Sequence, residues 1–266
     1  VVSSNLPDAR IDAAARAWGA ALRRIAVAEP RVRQEAGANE TYMVVTGSPT
    51  YSLNGVYAFD RTPDAAQIER LAARAADAAR SFPGTLPWSV QVRSDPDDRV
   101  RDVALRHGLT KQSQEPFMVR DLTSAPPVLG DAGAMTVRAI SGAEQDLYVR
   151  ALADGFGVPK ELFAPLFTPP VLDAAPDVTA YVGEVQGEVV STAMTVLTEG
   201  HVGIFNISTS PDHRRCGYGG RITEEAVARG HAAGASTAYL RSSDMGLPVY
   251  ASLGFTVAEH WTYFTD

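Results

Sequence analysis

One cysteine, Cys216, occurs in 266 residues, so an internal disulfide and a cysteine-ligated zinc site are both excluded. The histidines His107, His201, His213, His231 and His260 show no metal-ligand spacing, and no metal is expected. No apolar run approaches the length that spans a bilayer, and Val1-Val2-Ser3-Ser4-Asn5 lacks the basic and apolar regions of a secretion signal. A cytoplasmic protein without membrane contact is therefore expected, and the start at Val1 rather than Met suggests that a few residues are missing or were processed. Positive charge is also short: 24 Lys and Arg face 31 Asp and Glu, a net charge of −7. That balance argues against a nucleic-acid partner. It accords with simple solubility, and it leaves room for a cationic substrate and a local basic site.

The chain is long for one compact unit, and its 45% apolar content is ordinary for a globular protein, so two cores are expected. The stretch Leu122-Thr123-Ser124-Ala125-Pro126-Pro127-Val128-Leu129-Gly130-Asp131-Ala132-Gly133 is rich in Pro, Gly and small residues, as a linker is. It sets the expected boundaries: a first domain over 1–122, a linker over 123–134 and a second domain over 135–266.

In the second domain, Met135 to Ile140 alternates as a strand and Ser141 caps a helix with Glu144 three positions on. Pro159 to Leu172 offers a second helical stretch, and Tyr181–Val185 with Val189–Leu197 reads as a hairpin. Ile204, Phe205, Ile207 and Thr209 then belong to a largely buried strand that Pro211 ends. Arg214-Arg215-Cys216-Gly217-Tyr218-Gly219-Gly220 follows, and Ile222, Ala226, Val227 and Ala233 give the spacing of a helix. Glycines let the main chain take positive φ and let a ligand approach, while the first helical amides stay unpaired. Those amides favour an anion, and two arginines beside them favour a pyrophosphate.

The spacing Arg214-x-x-Gly217-x-Gly219 resembles the acyl-CoA signature R/Q-x-x-G-x-G/A of the GNAT superfamily of N-acetyltransferases. Pro248-Val249-Tyr250-Ala251-Ser252-Leu253-Gly254-Phe255 resembles the second signature of that family, a short helix ending in Gly-Phe. The resemblance covers roughly residues 135 to 266. The loop departs from the dinucleotide pattern Gly-x-Gly-x-x-Gly, and Asp244, the nearest candidate for a ribose-binding acid, fits poorly.

By this resemblance the fold is a mixed, mostly antiparallel α/β sheet flanked by helices, and the activity is transfer of an acetyl group from acetyl-CoA to a primary amine of a small molecule or peptide. Arg214, Arg215, Cys216, Gly217, Tyr218, Gly219 and Gly220 are the expected coenzyme A cradle, and the main chain at Ile207 and Thr209 is expected to pair with the pantetheine arm. Tyr250 sits where the family places the acid that protonates the departing thiolate; its other reading is packing with Leu253. Asn206 is a candidate for orienting substrate or water, or an outward polar residue on an alternating strand. Glu184, Glu199 and His201 are open as general bases, as is a base acting through water, and none is assigned. Phe156, Phe163, Phe167 and Tyr181 fall where the family contacts its acceptor, and read as core at least as well. A noncatalytic acyl-CoA sensor, a different acyl donor and a hydroxyl acceptor are the competing functions, and the chain is open to being a monomer or a homodimer.

The first domain carries a similar plan without the loop. Tyr42–Val45 and Leu53–Phe59 read as strands, followed by a helix with Ile68, Leu71 and Ala75 on one face. Only Asp60-Arg61-Thr62-Pro63 lies between strand and helix, where the glycines would be. Trp88–Val92 reads as a strand and Val100–His107 as a short helix, and setting Gly108 against Gly254 puts Leu109 opposite Phe255 and Ala104 opposite Tyr250. This resembles a tandem protein with a degenerate, cofactor-free first half, expected to fold at least partly on its own and to support the second half or wall its substrate cleft; the other reading is an unrelated α/β domain with a coincidental Gly-Leu ending.

Overall fold

The computed structural model describes residues 6–27, 31–93, 95–124, 127 and 135–266. The expected linker therefore lies largely outside the described residues. The first half runs α1 (Asp8–Val27), β1 (Arg33–Ala36), β2 (Thr41–Val45), β3 (Asn54–Ala58), α2 (Ala65–Arg80), β4 (Ser89–Arg93), α3 (Asp98–Arg106) and β5 (Lys111–Asp121). The second half runs β6 (Met135–Ala139), α4 (Gln145–Phe156), α5 (Pro169–Leu172), β7 (Val178–Val185), β8 (Glu188–Thr198), β9 (His201–Thr209), α6 (Tyr218–Ala232), β10 (Thr237–Arg241), α7 (Leu247–Ser252) and β11 (Thr256–Thr265). Among the described residues no helix is long and apolar enough to cross a membrane.

The mixed α/β sheet is present, but it is one sheet of 11 strands in the order β1-β2-β3-β4-β11-β5-β10-β9-β8-β7-β6. The two halves exchange their last strands. β11 lies antiparallel between β4 and β5, with Trp261 opposite Arg93 and Glu115, while β5 also pairs with β10, Arg241 opposite Phe117. Each half thus finishes its sheet with the other half's strand.

Alternation decides which helix each strand residue meets. Val45 and Val56 face α2, joining Ile68, Leu71 and Ala75, whereas their neighbours Val44 and Tyr57 face α1. In the second half Ala193 packs with Ile222 and Ala226 of α6, and Met194 with Tyr148 and Leu152 of α4. The expected helix over Pro159–Leu172 is broken into a short turn at Lys160–Leu162 and the four residues of α5. Pro169 explains the break: it offers no N–H, and Thr168 before it is held extended at φ −82°, ψ 164°.

Helix α1 was not foreseen, although Ile11, Ala14, Ala15, Trp18, Ala21 and Ile25 recur at helical spacing and are all buried. It crosses the exchanged strands. Trp18 packs against Tyr57, Phe59 and Trp261 with ring centroids 6.1, 5.5 and 5.6 Å apart. Beside it Arg93 of β4, with 2% of its side chain exposed, bonds Glu259 of β11 at 2.6 and 2.8 Å and Asp12 of α1 at 2.9 Å. Burial pushes the Asp12 carboxyl up, but hydrogen bonds from Arg61 and Arg93 outweigh it and hold the pKa below the ordinary value.

These contacts depart from the expectation of a first half that folds alone. Cut off after residue 122, β4 loses the partner on one edge and β5 loses both. Such a fragment is expected to show no cooperative urea transition by tryptophan fluorescence, where the full chain shows one; a sharp transition in the fragment would contradict this account.

Candidate active site

The neighbouring strands β9 and β10 are parallel, and they pair only at His201 with Thr237, Val202 with Ala238 and Gly203 with Tyr239. Past Gly203 the two strands separate. The cause is local to β9: its register against β8 shifts between Thr192 and Met194, and Asn206 takes φ +54°, a left-handed conformation that Asn tolerates better than most residues. Thr192 Oγ1 donates to the Asn206 carbonyl at 2.8 Å, and the Asn206 amide donates to the buried Tyr148 hydroxyl at 3.1 Å. The bulge is thereby held from both sides.

Beyond the bulge, the Ser210 amide donates to the Val190 carbonyl at 2.9 Å. Because antiparallel pairs alternate, Ser208 and Ser210 turn their main-chain groups to β8, and Ile207 and Thr209 turn theirs to the open edge. The chain then passes through a turn at Pro211–His213, held by Ser210 Oγ against His213 Nδ1 at 2.9 Å. Arg215 takes φ +62° and Gly217 φ +82°, and the first bond of α6 runs from the Arg221 amide to the Gly217 carbonyl. The amides of Tyr218, Gly219 and Gly220 have no acceptor among the described residues.

Two arginines of this loop have different fates. Arg214 turns back, donating to the Gly155 carbonyl at 2.8 Å and to the Thr209 carbonyl at 3.4 Å, so it ties the loop to the end of α4. Arg215 is exposed, as is Cys216, whose thiol approaches only the Arg214 carbonyl. A Cβ added at Gly219 would come within 3.2 Å of Thr209 Oγ1, whereas one added at Gly217 would meet nothing within 4 Å. Gly217 is therefore glycine for its backbone conformation, and Gly219 for the space between loop and strand.

Tyr250 sits in α7, which ends on Gly254 at φ +81° with the Phe255 amide bonded to the Tyr250 carbonyl at 3.0 Å. The ring meets Phe255 edge-on at 6.1 Å. Gly246 makes the necessary room, since a Cβ there would lie 2.8 Å from Tyr250 Cε2. Burial pushes the phenol up to about 12. It keeps its proton at neutral pH.

Asn206, Ile207 and Tyr250 all line one cavity of about 270 Å³. Phe156, Leu166 and Phe167 close one side and Met194, Ile204 and Phe205 the floor. Another wall comes from the first half, from Trp18, Leu22 and Ile25 of α1 and from Ser52 and Leu53 before β3. Of the residues expected at the acceptor, Phe156 and Phe167 line the cavity; Phe163 packs on both of them from behind, and Tyr181 is buried in the sheet under Arg229. The open base candidates Glu184, Glu199 and His201 do not line it. Glu184 is paired with Arg138 at 3.0 Å, and His201 lies at the far end of β9 against the Glu199 carbonyl.

Arg241 is the charged residue of the cavity, and sequence reasoning missed it. Its guanidinium carbon lies 4.9 Å from the Trp18 ring and 4.4 Å from that of Tyr263, and it bonds Gln91 and Glu115 at 2.9 Å each. Nothing local marks it, because all these partners are distant in the chain.

Residues 176–257 match the family model of the acetyltransferase (GNAT) domain. Over those residues the chain thus resembles a GNAT acyltransferase domain. The separating strands, the glycine loop and Tyr250 fall inside the matched span, and the wall formed by α1 and residues 52–53 falls outside it. No curated protein matches the chain as a sequence. Among solved structures, a GCN5-related N-acetyltransferase from Kribbella flavida superposes with a TM-score of 0.67 at 18% identity, over 95% of each chain. A functionally unknown conserved protein from Staphylococcus epidermidis gives 0.62 at 13% identity, over 88% of this chain and 94% of that one. A GCN5-related N-acetyltransferase from Sphaerobacter thermophilus gives 0.56 at 15% identity, over 86% and 80%. At these identities the likeness is one of fold, and it takes in both halves.

Gly217→Ala puts a Cβ on a left-handed residue, at a cost of about 1–2 kcal/mol. The urea midpoint of that variant should fall accordingly, while Gly220→Ala, in the helical first turn with only ordinary contact to Val249, should leave it nearly unchanged.

Proposed function

We propose that this protein is an acetyl-CoA-dependent N-acetyltransferase that passes an acetyl group to a primary amine of a small molecule or peptide by direct attack in a ternary complex. The observation that carries the reading is the parting of β9 and β10 at Gly203 and Tyr239, with free helix amides on one side and a protonated phenol in the adjoining cavity. The free amides of Tyr218, Gly219 and Gly220, with the dipole of α6 and the charge of Arg215, suit a pyrophosphate. Arg214 shapes that loop, and Cys216 borders it. The main-chain groups of Ile207 and Thr209 on the open edge suit an amide-bearing arm that adds to the strand. The bound thioester would supply the activated acetyl group. Tyr250 would hold a proton for the departing sulfur, and Asn206 would fix the bulge that aims the Ile207 amide.

The first half is read as a degenerate repeat of the second. Both halves end a short helix on a left-handed glycine, Gly108 and Gly254, and the Leu109 amide bonds the Ala104 carbonyl at 3.0 Å as the Phe255 amide bonds that of Tyr250. Two features of the first half argue against a cofactor there. β3 and β4 stay paired from Gly55 with Ser89 to Ala58 with Val92, leaving no slot. At the start of α2, the Asp64 carboxylate accepts from the Ala66 and Gln67 amides at 3.0 and 3.3 Å, so a side chain already occupies the anion position.

A sensor that only binds acyl-CoA would have no use for a half-buried phenol beside the open strands, which is why catalysis is the preferred reading. Tyr250→Phe should lower kcat about 10²-fold or more and leave the KM for acetyl-CoA unchanged, as read by thiol release. Since the phenol ionises only near 12, ionisation of Tyr250 should cause no loss of kcat around pH 10, the ordinary tyrosine range. A wild-type rate in the variant, with chemistry limiting, would make Tyr250 structural. Gly219→Val should crowd Thr209 and the loop amides; loss of one charge-assisted hydrogen bond, about 1.5–3 kcal/mol, weakens coenzyme A binding about tenfold or more by calorimetry. Unchanged affinity in that folded variant would place the cradle elsewhere.

A further inference from the structure

Resting on the acetyltransferase reading, we infer that the acceptor is a primary amine carried on a single apolar ring system with no second positive charge, and that the first half selects it. The cavity beside Tyr250 is bounded by Trp18, Leu22, Ile25 and Leu53 from the first half and by Phe156 and Phe167 from the second. Among the described residues no Asp, Glu or His lines it. A polyamine or aminoglycoside binds through carboxylates that neutralise its several ammonium groups, and this wall supplies none. It supplies a cation instead. Arg241 stands in the cavity with 11% of its side chain exposed, and its partner Glu115 is outside the lining and also accepts the Tyr263 hydroxyl at 2.7 Å.

Size agrees with this class. An apolar cavity of about 150 Å³ holds a benzene ring, so about 270 Å³, shared with the thioester beside Ile207 and Tyr250, leaves room for one ring. The acidity of the whole chain therefore says nothing about its substrate, because the acidic side chains lie elsewhere.

The test uses the full chain with acetyl-CoA, thiol release and mass spectrometry of the products, comparing tryptamine and 4-methylaniline with spermidine and kanamycin. The ring amines should exceed the polycations in kcat/KM by about 10²-fold, the scale of discrimination a hydrophobic pocket provides. Leu22→Ala, on the α1 wall, should raise the KM for the ring amines while coenzyme A affinity by calorimetry stays at the wild-type value. Leu22→Glu should shift preference toward spermidine. If coenzyme A binds but the polycations are the better substrates, if only they are acetylated, or if neither Leu22 variant alters acceptor KM, the acceptor assignment is overturned and the acetyltransferase reading stands; coenzyme A binding with no amine acetylated overturns both in favour of a sensor. If coenzyme A does not bind at all, both fall.

Discussion

The placement of β11 between β4 and β5 is the constraint on which the rest of the molecule depends. A strand carries two hydrogen-bonding edges, and here each half supplies the strand that satisfies the other's open edge. The same crossing forces α1 to lie over residues from both halves, which is how Trp18 comes to touch Phe59 just after β3, Trp261 of β11 and Phe205 of β9. The buried Arg93 bridge reinforces this: removing one partner of a buried pair typically costs about 3–5 kcal/mol, so Glu259 and Arg93 hold the exchanged strand in register.

The two halves show how little separates a cofactor site from a closed one. In both, a helix follows a strand and a short connection. In the second half the connection carries Gly217 in a left-handed conformation and leaves amides free; in the first, Asp64 turns its carboxylate onto the corresponding amides. One carboxylate satisfies the helix dipole as an external anion would. The slot differs for a similarly local reason. Asn206 breaks the pairing of β9 through its positive φ, whereas β3 has no bulge opposite β4 and remains zipped along its length.

What could be read in the sequence was what depends on neighbours in the chain. Periodicity located β9, α6, the β7–β8 hairpin and α2, and glycine positions located the loop and the turn at Gly254. The capping box of Ser141 and Glu144 is present as expected. The strand exchange was not legible, because β5 and β11 carry ordinary strand patterns and nothing local names their partners. Arg241 was hidden for the same reason: its contacts, Gln91, Glu115, Trp18 and Tyr263, are scattered over the chain. The stripe Ile11, Ala14, Ala15, Trp18, Ile25 did announce a helix, and a count of its spacing would have found the wall of the cavity.

The proton balance of the cavity follows from the same packing. Burial of Tyr250 keeps a proton available on the side of the leaving group, while no carboxylate is present to take one from the acceptor. An amine with a pKa near that of lysine, about 10.4, is neutral in roughly one molecule in several thousand at pH 7. Arg241 is paired with Glu115 at 2.9 Å, so its field on a bound amine is largely offset by the carboxylate. What the guanidinium does do is pack on Trp18 and Tyr263, which fastens the halves together.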